Sequence, residues 1–406
     1  MARLVQKFGG TSVGDRDRIR AVAERVRRAH EEGHEVAVVV SAMAGVTDKL
    51  CEQVAQLGGL ADGAEYDAVV ASGEQVSAGL LAMALHALGV PARSWQGWQL
   101  PVRTNGVHGK ARIAAIETAG LEDCFTRREV PVVAGFQGLA PDGRVTTLGR
   151  GGSDTSAVAL AAALKADRCD IFTDVDGVYT CDPRIVVKAR KLARITFEEM
   201  LEMASLGAKV LQTRAVELAM KERVRVQVLS SFADTPGTLV VGEDEVLEQE
   251  LVSGVTYSRD EAKITLVRVP DRPGVAASIF GPLADASINV DMIVQNVAAE
   301  GTTTDLTFTV RDADLQRAIN VLESVRGDIG YADLMADANV AKVSVVGVGM
   351  RSHAGIAQRM FQTLADKGIN IQVISTSEIK VSVLIDEIYT ELALRALHTA
   401  YGLDAS

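Results

Sequence analysis

A stretch of twenty residues near the end of the chain occurs twice, and this repeat constrains how that region folds. Gly274–Ile293 aligns without gaps to Gly355–Ile374, 81 residues further on, and nine of the twenty positions are identical. Two copies of one small unit are therefore predicted. Each copy has the pattern strand, helix, strand, strand, helix. We expect the two copies to form a sheet larger than either makes alone, and a tail of this kind is typical of a regulatory region.

The first part of the chain has a different pattern, in which short β-branched runs alternate with helical patterns. Glu35–Ser41 is apolar throughout its interior, as in a parallel strand buried on both faces. Asp15–Glu32 and Gly73–Leu88 are predicted helices. Such alternation predicts an α/β fold with a mostly parallel sheet sandwiched by helices.

The change between the two patterns places the domain boundaries. Glu243–Glu250 carries five acids among eight residues, which indicates a solvated connection. The predicted parts are a first domain at 1–232, a linker at 233–260, and repeat units at 261–338 and 339–406.

Composition argues against several classes of function. The 406 residues carry a net charge of −11 and only 4% are aromatic, which argues against nucleic acid as a partner. The arginines of Arg16–Arg28 alternate with apolar residues at helical spacing, so we interpret most of them as a solvated helix face. No uninterrupted apolar run is long enough to cross a membrane, and no signal peptide is visible. The four cysteines lack CxxC spacing, so neither a zinc site nor a disulfide framework is indicated, and we expect a cytoplasmic protein.

The first candidate site is Lys7-Phe8-Gly9-Gly10, between a short strand and a helix. Glycines let the backbone approach an anion, free N–H groups point at it, and a lysine supplies charge. The segment is not a Walker A loop, because GxxxxGK[ST] does not occur in the chain. Glycine pairs are also common in ordinary turns, so the motif needs support from elsewhere.

Two further clusters follow a strand or open a helix. Ser41 lies directly after the buried strand, where ligands bind in open parallel sheets. Thr47 comes soon after, and helix capping and substrate contact are equally good interpretations of it. Glu74 opens an apolar helix, where a carboxylate either stabilises the helix dipole or holds a substrate ammonium.

The most specific cluster is Gly149–Asp154, with three glycines around Arg150. It predicts a second anion site, because an arginine can hold a carboxylate with two parallel hydrogen bonds. Ser153 and Asp154 can also be explained as helix caps. Further on, Thr173–Arg184 follows a strand and contains carboxylates, a tyrosine and an arginine. An ordinary hairpin and a loop around a nucleotide with its magnesium are both compatible with it.

In this order, these clusters resemble the aspartate kinases (aspartokinases) of the amino-acid kinase family. The matching segments are Lys7–Val13, Ser41–Met43, Gly73-Glu74, Gly149–Asp154 and Thr173–Arg184. The double tail resembles tandem ACT domains, ferredoxin-like α+β units that bind amino acids and regulate such enzymes. The resemblance implies transfer of the ATP γ-phosphoryl group to the side-chain carboxylate of L-aspartate. The product, 4-phospho-L-aspartate, begins the route to lysine, threonine, methionine and diaminopimelate.

The resemblance also implies roles for individual residues. Implied catalytic residues are Lys7, Asp154 and Lys209. Implied substrate-binding residues are Ser41, Thr47, Glu74, Arg150, Gly151, Gly152 and Ser153. Implied ATP-binding residues are Lys7, Gly9, Gly10, Thr173, Asp174, Tyr179, Asp182, Arg184 and Lys209. Mg2+ is expected to accompany ATP, with no separate protein metal site. A carboxylate acceptor is already ionised near neutral pH, so no general base is required.

For the tail, the resemblance implies effector contacts in both ACT units, although loop and cap structure also explains these residues. They are Asp271, Gly274, Val275, Ala276, Asn289, Val290, Asp291, Gln295, Ile356, Ala357, Asn370, Ile371, Ser377 and Glu378. Threonine, lysine or both are the expected inhibitors, and the sequence does not choose between them. A homo-oligomer, or an assembly with a smaller regulatory subunit, is also expected. The chain departs from many relatives by having Gln212-Thr213 in place of His-Pro.

Two other functions account for part of the sequence. Another amino-acid kinase, acting on glutamate or acetylglutamate, shares the nucleotide chemistry but accounts poorly for Glu74, Arg150 and the tail together. A non-catalytic amino-acid sensor would have lost some of the residues that the kinase site needs. The chain retains Lys7, Asp154 and Asp174.

Overall fold

The computed structural model describes residues 1–57, 62–208, 210–246, 251–297, 302–353 and 355–404. Its contacts divide the chain into two units. The first comprises residues 1–178, 191–205 and 209–248, and the second comprises residues 179–190, 206–208 and 249–406.

The elements of the first unit follow the predicted alternation. Its strands are β1 (Arg3–Phe8), β2 (Glu35–Val40), β3 (Ala92–Trp95), β4 (Val102–Thr104), β5 (Ile113–Ile116), β6 (Val130–Ala134), β7 (Gln137–Leu139), β8 (Val145–Thr147), β9 (Arg168–Thr173), β10 (Arg194–Thr196), β11 (Val226–Ser230) and β12 (Thr238–Val241). Its helices are α1 (Arg16–Glu31), α2 (Val46–Gln56), α3 (Gly63–Val70), α4 (Ser72–Ala87), α5 (Ala119–Thr126), α6 (Gly152–Ala163), α7 (Phe197–Ser205) and α8 (Thr213–Glu222).

The main sheet of this unit has eight strands among the described residues, in the order β10-β12-β11-β9-β1-β2-β6-β3. All neighbouring pairs are parallel except β11 with β12, so the predicted mostly parallel α/β fold is confirmed. A smaller sheet, in the order β5-β4-β7-β8, was not predicted, because its strands are only three or four residues long.

Helices pack on both faces of the main sheet. On one face, α1 and α4 bury residues such as Val22 and Leu81 against Val38 of β2. On the other face, α6 lies against β1, β2 and β9. The strongly apolar β2 is thus covered twice, as its continuous β-branched run requires. At its start, α1 is capped by Asp15, whose carboxylate accepts hydrogen bonds from two backbone N–H groups of the first turn.

The second unit contains the repeat. Its strands are β13 (Gly254–Ser258), β14 (Ala262–Pro270), β15 (Val290–Val297), β16 (Thr303–Val310), β17 (Asp333–Asp337), β18 (Val340–Val346), β19 (Val373–Thr376) and β20 (Lys380–Asp386). Its helices are α9 (Val275–Asp285), α10 (Leu315–Ser324), α11 (Arg326–Ile329), α12 (Ile356–Asp366) and α13 (Thr390–Ala400).

Each copy of the repeat has the predicted order of strand, helix, strand, strand, helix. The expected single larger sheet is wrong, since the described strands form two four-stranded sheets, β15-β16-β14-β17 and β13-β18-β20-β19. One edge of each copy is occupied, because an additional strand pairs with its first strand. β17 pairs with β14 in the first copy, and β13 pairs with β18 in the second.

Two strands, β12 and β13, lie within the predicted linker at 233–260 and correct it. β12 lies in the main sheet of the first unit, and β13 lies in the sheet of the second repeat. The density of acids between them marked the connection, but short apolar runs on either side had enough β-branched residues to pair with neighbouring strands. Residues 247–250, at the end of the acidic run, lie outside the described residues.

The helices α3 and α4 follow one another closely and together span Gly63–Ala87. This stretch of 25 residues is long and apolar enough to cross a membrane by length and composition. Half of its most apolar window is buried inside the protein, as in the core helix of a globular fold. The absence of a membrane partner stays a prediction.

Phe8 provides a test of how the sheet is stabilised. It is fully buried at the end of β1, and its ring stacks on Phe172 of β9 at 4.7 Å between centroids. We predict that Phe8→Ala lowers the free energy of unfolding of the first unit by about 3–5 kcal/mol, because the cavity cannot close between paired strands. Urea unfolding measures this. Met83→Ala, at an exposed position of α4, is the control and should leave the midpoint unchanged; equal midpoints for all three proteins would contradict the account.

Candidate active site

The candidate site lies where the parallel strands end. In the register of the main sheet, Phe8 of β1 is paired with Val40 of β2 and with Phe172 of β9. The segments that follow these strands therefore leave the sheet at one edge. In open parallel sheets, ligands bind outside the carboxyl ends of the strands.

An ion pair joins β1 to α6 at this edge. The Nζ of Lys7 lies 2.6 Å from Oδ1 of Asp154, and both residues are buried, at 8% and 8% exposed. Burying either charge alone would be costly, so each requires the other. The prediction that Ser153 or Asp154 caps α6 is wrong, because the cap position is Gly151 and it makes no side-chain cap hydrogen bond. Asp154 instead projects from the first turn to Lys7.

The glycine pair after β1 is needed for close packing. A side chain at Gly9 would come within 3.3 Å of the Lys7 Nζ, and one at Gly10 within 2.9 Å of the Ala42 carbonyl oxygen. The Gly9 N–H donates to the carbonyl of Phe172 at 3.2 Å. This corrects the prediction that both glycines offer backbone donors to a phosphate, since the Gly9 N–H is already used within the fold.

Glu74 is buried beside this turn, at 3% exposed. Its Oε1 accepts a hydrogen bond from the backbone N–H of Ala42 at 3.0 Å, while its Oε2 is buried without a hydrogen-bond partner among the described residues. Burial raises the pKa of Glu74 to about 7, although the hydrogen bond from Ala42 acts in the opposite direction. The residue lies in the first turn of α4, as the helix-dipole interpretation requires. Its side chain nevertheless points inward, with one oxygen left for a ligand.

Arg150 offers a free cation. The residue is exposed, and its side chain makes no hydrogen bond or ion pair with the residues that the structure describes. The flanking Gly149 and Gly151 have φ of 80° and 71°, a conformation that favours glycine. A side chain at Gly151 would also overlap that of Gln212, so the residue that departs from many relatives packs on this loop. Ser153 is buried in the first turn of α6.

Ser41 and Thr47 flank the turn after β2. Ser41 is half-buried, and its N–H donates to the carbonyl of Phe8 at 3.1 Å. The helix α2 begins at Val46 with Gly45 as its cap residue, and Gly45 makes no side-chain cap hydrogen bond. Thr47 therefore does not cap this helix, and its contact with a substrate stays a prediction.

The predicted nucleotide loop is divided between the two units. Thr173 ends β9, and its hydroxyl donates to the carboxylate of the exposed Asp174 at 3.1 Å. The chain does not turn back as a hairpin, since the strands beside β9 are β1 and β11, both parallel. The other three predicted contacts, Tyr179, Asp182 and Arg184, fall in the second unit. Lys209 lies outside the described residues.

Sequence reasoning missed a buried carboxylate that shapes the loops behind Arg150. Asp67 of α3 is fully buried and accepts hydrogen bonds from His108 Nδ1 at 2.8 Å and Thr147 Oγ1 at 2.6 Å, as well as from the Gly109 N–H. The Gly109 carbonyl in turn lies against Gly149. An acid between apolar residues of a helix was the available indication, but an acid in a helix usually faces solvent.

The predicted effector residues of the second unit differ in exposure. Val275 and Ile356 are buried in the cores of the two repeats, so their side chains are not available to a ligand. The exposed members are Asp271, Gly274, Ala276, Asn289, Asp291, Gln295, Asn370, Ser377 and Glu378, and Val290, Ala357 and Ile371 are half-buried.

Comparison with known proteins identifies a kinase family in the first part of the chain and two regulatory domains in the second. Residues 2–230 match the amino acid kinase family, and residues 263–327 and 343–401 each match an ACT domain family. The chain is 56% identical to the aspartate kinase of Stutzerimonas stutzeri, over 100% of this chain and 98% of that protein. It is also 56% identical to the aspartokinase of Pseudomonas aeruginosa, with the same coverage.

Solved structures are similar over the whole chain. E. coli aspartokinase III in complex with aspartate and ADP, in its R-state, has a TM-score of 0.80 at 28% identity, covering 98% of this chain and 99% of that one. The same enzyme with lysine and aspartate, in its T-state, has a TM-score of 0.77 at 28% identity, covering 98% of each chain.

The raised pKa of Glu74 gives a prediction about stability. Relative to its ordinary pKa of 4.5, the folded protein favours the protonated form, so the stability from this group is present at low pH and is lost as pH rises towards 7. Glu74→Gln, which stays neutral, should therefore gain stability over the wild type by about 2 kcal/mol more at pH 8 than at pH 5, at about 1.4 kcal/mol per pKa unit. Thermal unfolding at the two pH values measures the difference. Glu52→Gln, at an exposed position of α2, is the control; a gain that does not depend on pH would contradict the prediction.

Proposed function

Since the chain belongs to the aspartokinases, kinases of the amino acid kinase family with a carboxyl acceptor, we propose that it phosphorylates the side-chain carboxylate of L-aspartate. The donor is the γ-phosphoryl group of ATP and the product is 4-phospho-L-aspartate, the first intermediate towards lysine, threonine and methionine. The observation that carries the proposal is that the Lys7–Asp154 ion pair and the buried Glu74, which is hydrogen-bonded to Ala42, lie at the same edge of the sheet.

Lys7 has the position and charge to stabilise phosphoryl transfer. Its ammonium is held by Asp154 rather than left to move, so it is oriented before the substrates arrive. Phosphoryl transfer depends mainly on alignment and on cations near the developing charge. Lys209 is proposed as the second such cation on the nucleotide side, from the resemblance alone.

The acceptor is recognised by charges of both signs. Glu74 receives the α-ammonium of aspartate on its unpartnered oxygen, in a buried position where an ion pair is strong. Arg150 receives a carboxylate of the acceptor, with Ser41, Thr47 and the first turn of α6 around it. An N-acetylated substrate has no ammonium to offer Glu74. Glutamate has one, but its side-chain carboxylate lies one methylene further away.

Magnesium is proposed to bind together with ATP. Among the described residues, no group of three or more His, Cys, Asp or Glu side chains is placed to hold a metal. This suits magnesium, which is usually held by one or two carboxylates and by the phosphates of the nucleotide. Asp154 and Asp174 are the residues proposed to help hold it, and the ion would neutralise the charge of those phosphates. Thr173 is a further proposed nucleotide contact.

Regulation by amino acids is proposed from the ACT domains. E. coli aspartokinase III, similar over the whole chain, has been crystallised with lysine. We propose threonine, lysine or both as effectors, at the exposed residues of the two repeats. We also propose that the chains assemble through their ACT domains, as a homo-oligomer or with a smaller regulatory subunit. A cytoplasmic location accompanies this proposal.

The proposed reaction is tested by trapping the acyl phosphate with hydroxylamine in the presence of Mg-ATP. L-aspartate, L-glutamate and N-acetyl-L-glutamate are offered separately, each with and without threonine and lysine. Product with aspartate and with neither other acceptor supports the proposal. Product with one of the other acceptors instead would identify that acceptor as the substrate. If no acceptor gives product while threonine or lysine still binds, the protein is a sensor and not a kinase.

Lys7 gives the first prediction about turnover. Lys7→Ala should reduce turnover at least about 100-fold, because the transferring phosphoryl loses its oriented cation. Threonine and lysine binding, measured by calorimetry, should stay unchanged, which shows that the second unit is folded. Lys221→Ala, on the exposed surface of α8, is the matched control. Turnover of Lys7→Ala close to that of the control would exclude the proposed role.

Glu74 gives a second prediction, about substrate affinity. The KM for aspartate should rise as pH falls from 8 to 6, because protonation of Glu74, with its pKa of about 7, removes the charge that attracts the ammonium. Glu74→Gln should raise the KM at least about tenfold at pH 8 and abolish this pH dependence. Steady-state kinetics at several pH values check both. A variant with the same pH profile as the wild type would show that another group is responsible.

A further inference from the structure

Two lysines of the second unit each contact a side chain of the other repeat. Lys263 of β14, in the first repeat, donates to the side-chain oxygen of Gln372 in the second. Lys342 of β18, in the second repeat, lies 2.7 Å from Oδ2 of Asp291 in the first. Asp291 and Gln372 occupy equivalent positions of the sequence repeat, 81 residues apart. Each repeat therefore offers a lysine to the same position of the other repeat. Of the two acceptors, Asp291 carries a charge and Gln372 does not.

Lys342 has a second charged partner, whereas the described residues give Lys263 none. Its Nζ also lies 2.6 Å from Oε1 of Glu261, and both Lys342 and Glu261 are buried, whereas 61% of the Asp291 side chain is exposed. Glu261 lies between β13 and β14, where the chain passes from the sheet of the second repeat to that of the first. The buried ammonium of Lys342 on β18 thus contacts both β15, through Asp291, and the connection between β13 and β14, through Glu261.

Lys342 and Asp291 each stabilise the charged form of the other. Burial opposes the charge of Lys342, but the carboxylates of Glu261 and Asp291 raise its pKa above the ordinary value. Burial also opposes the charge of Asp291, yet its pKa is lowered by Lys342, by the Met292 N–H and by the charge of Lys380. Two carboxylates share the Lys342 ammonium, and the charge of Lys380 also acts on Asp291. Because the Asp291 side chain is largely exposed, its carboxylate can also attract an ammonium from solution.

Asp291 is also connected to the packing between the repeats. Its Oδ1 accepts the N–H of Met292 at 2.8 Å. Met292 has φ of 44° at an irregularity of the β15–β16 pairing, and it packs in a cluster with Val340, Val373 and Leu384 of the second repeat. A change in the position of the Asp291 carboxylate therefore acts directly on this contact.

We propose that Lys342 is a positioning residue that transmits effector binding from the first repeat to the second by exchanging partners. The ammonium of an amino-acid effector pairs with Asp291, and Lys342 gives up that carboxylate and keeps Glu261. The exchange costs little, because the buried ammonium is never left without a partner. Within the part of the chain that the structure describes, Lys263 has a neutral acceptor alone, so it has no charged partners to exchange. The inference rests on the proposed function, since it assigns Asp291 to the effector site of a regulated kinase.

The test separates effector binding from its consequence. In Lys342→Met, threonine and lysine should bind at least as tightly as in the wild type. The reason is that the Lys342 ammonium no longer competes with the effector ammonium for Asp291. Inhibition of aspartate phosphorylation should weaken at least about tenfold, a coupling of ordinary size for allosteric proteins. Turnover without effector should stay unchanged. Lys342→Arg, which keeps the charge, should retain inhibition, and the matched control Lys263→Met should stay within about twofold of the wild type in both measurements.

Two outcomes would overturn the proposal. One is inhibition of Lys342→Met at wild-type effector concentrations. The other is a parallel weakening of binding and inhibition, which would mean that Lys342 only supports the shape of the site. If Lys342→Met fails to fold because Glu261 is left unpaired, the double variant Glu261→Gln/Lys342→Met removes that buried charge and takes its place.

A readout without turnover keeps this test distinct from that of the proposed function. Hydrogen exchange of Val340–Val346 should change when threonine or lysine binds to the wild type, and this change should be lost in Lys342→Met. A wild type that shows the change but makes no acyl phosphate contradicts the proposed function alone. A wild type that phosphorylates aspartate but shows no effector-dependent change in this strand contradicts the role of Lys342 alone.

Discussion

Three segments of the chain meet at Ala42, and the candidate site depends on how closely they approach. A side chain at Gly10 would collide with the Ala42 carbonyl, and one at Gly73 would lie 2.7 Å from the Ala42 Cβ. The backbone N–H of the same residue donates to the buried carboxylate of Glu74. The turn after β1, the turn after β2 and the start of α4 are therefore fixed to one another. Because of this packing, a carboxylate with an unused oxygen lies at the same edge of the sheet as Lys7.

Buried lysines in the two units show the same physical requirement with different consequences. Among the described residues Lys7 has one close carboxylate, that of Asp154, and the pair holds the ammonium at the edge where β1 ends. Lys342 has two, Glu261 and Asp291, and one of these is largely exposed. A buried ammonium with a single partner is fixed in place, as catalysis by alignment requires. One that is shared can exchange partners when a competing ammonium arrives, which is what a response to an amino acid requires.

The α/β fold, the two repeats and the glycine-rich turns could be predicted from the sequence, because hydrophobic period and glycine spacing are local properties. It could not be predicted that Thr47, Ser153 and Asp154 do not cap their helices, since a threonine, serine or aspartate before an apolar run looks the same whether it caps the helix or not. The predicted linker was wrong for a similar reason. Whether β12 and β13 become strands depends on the strands with which each of them pairs, and the partner of β13 is distant in the sequence. The Asp67 network and the assignment of residues 179–190 to the second unit are tertiary contacts without a local pattern.

The central claim is that the buried carboxylate of Glu74 binds the ammonium of the acceptor. The release of protons when aspartate binds tests this claim most directly. With a pKa of about 7, Glu74 is half protonated at pH 7, and pairing with an ammonium would ionise it. Calorimetry of L-aspartate binding at pH 7, in two buffers of different ionisation enthalpy, should report release of about half a proton per aspartate bound. The release should disappear in Glu74→Gln. No release by the wild type, or the same release by the variant, would contradict the claim.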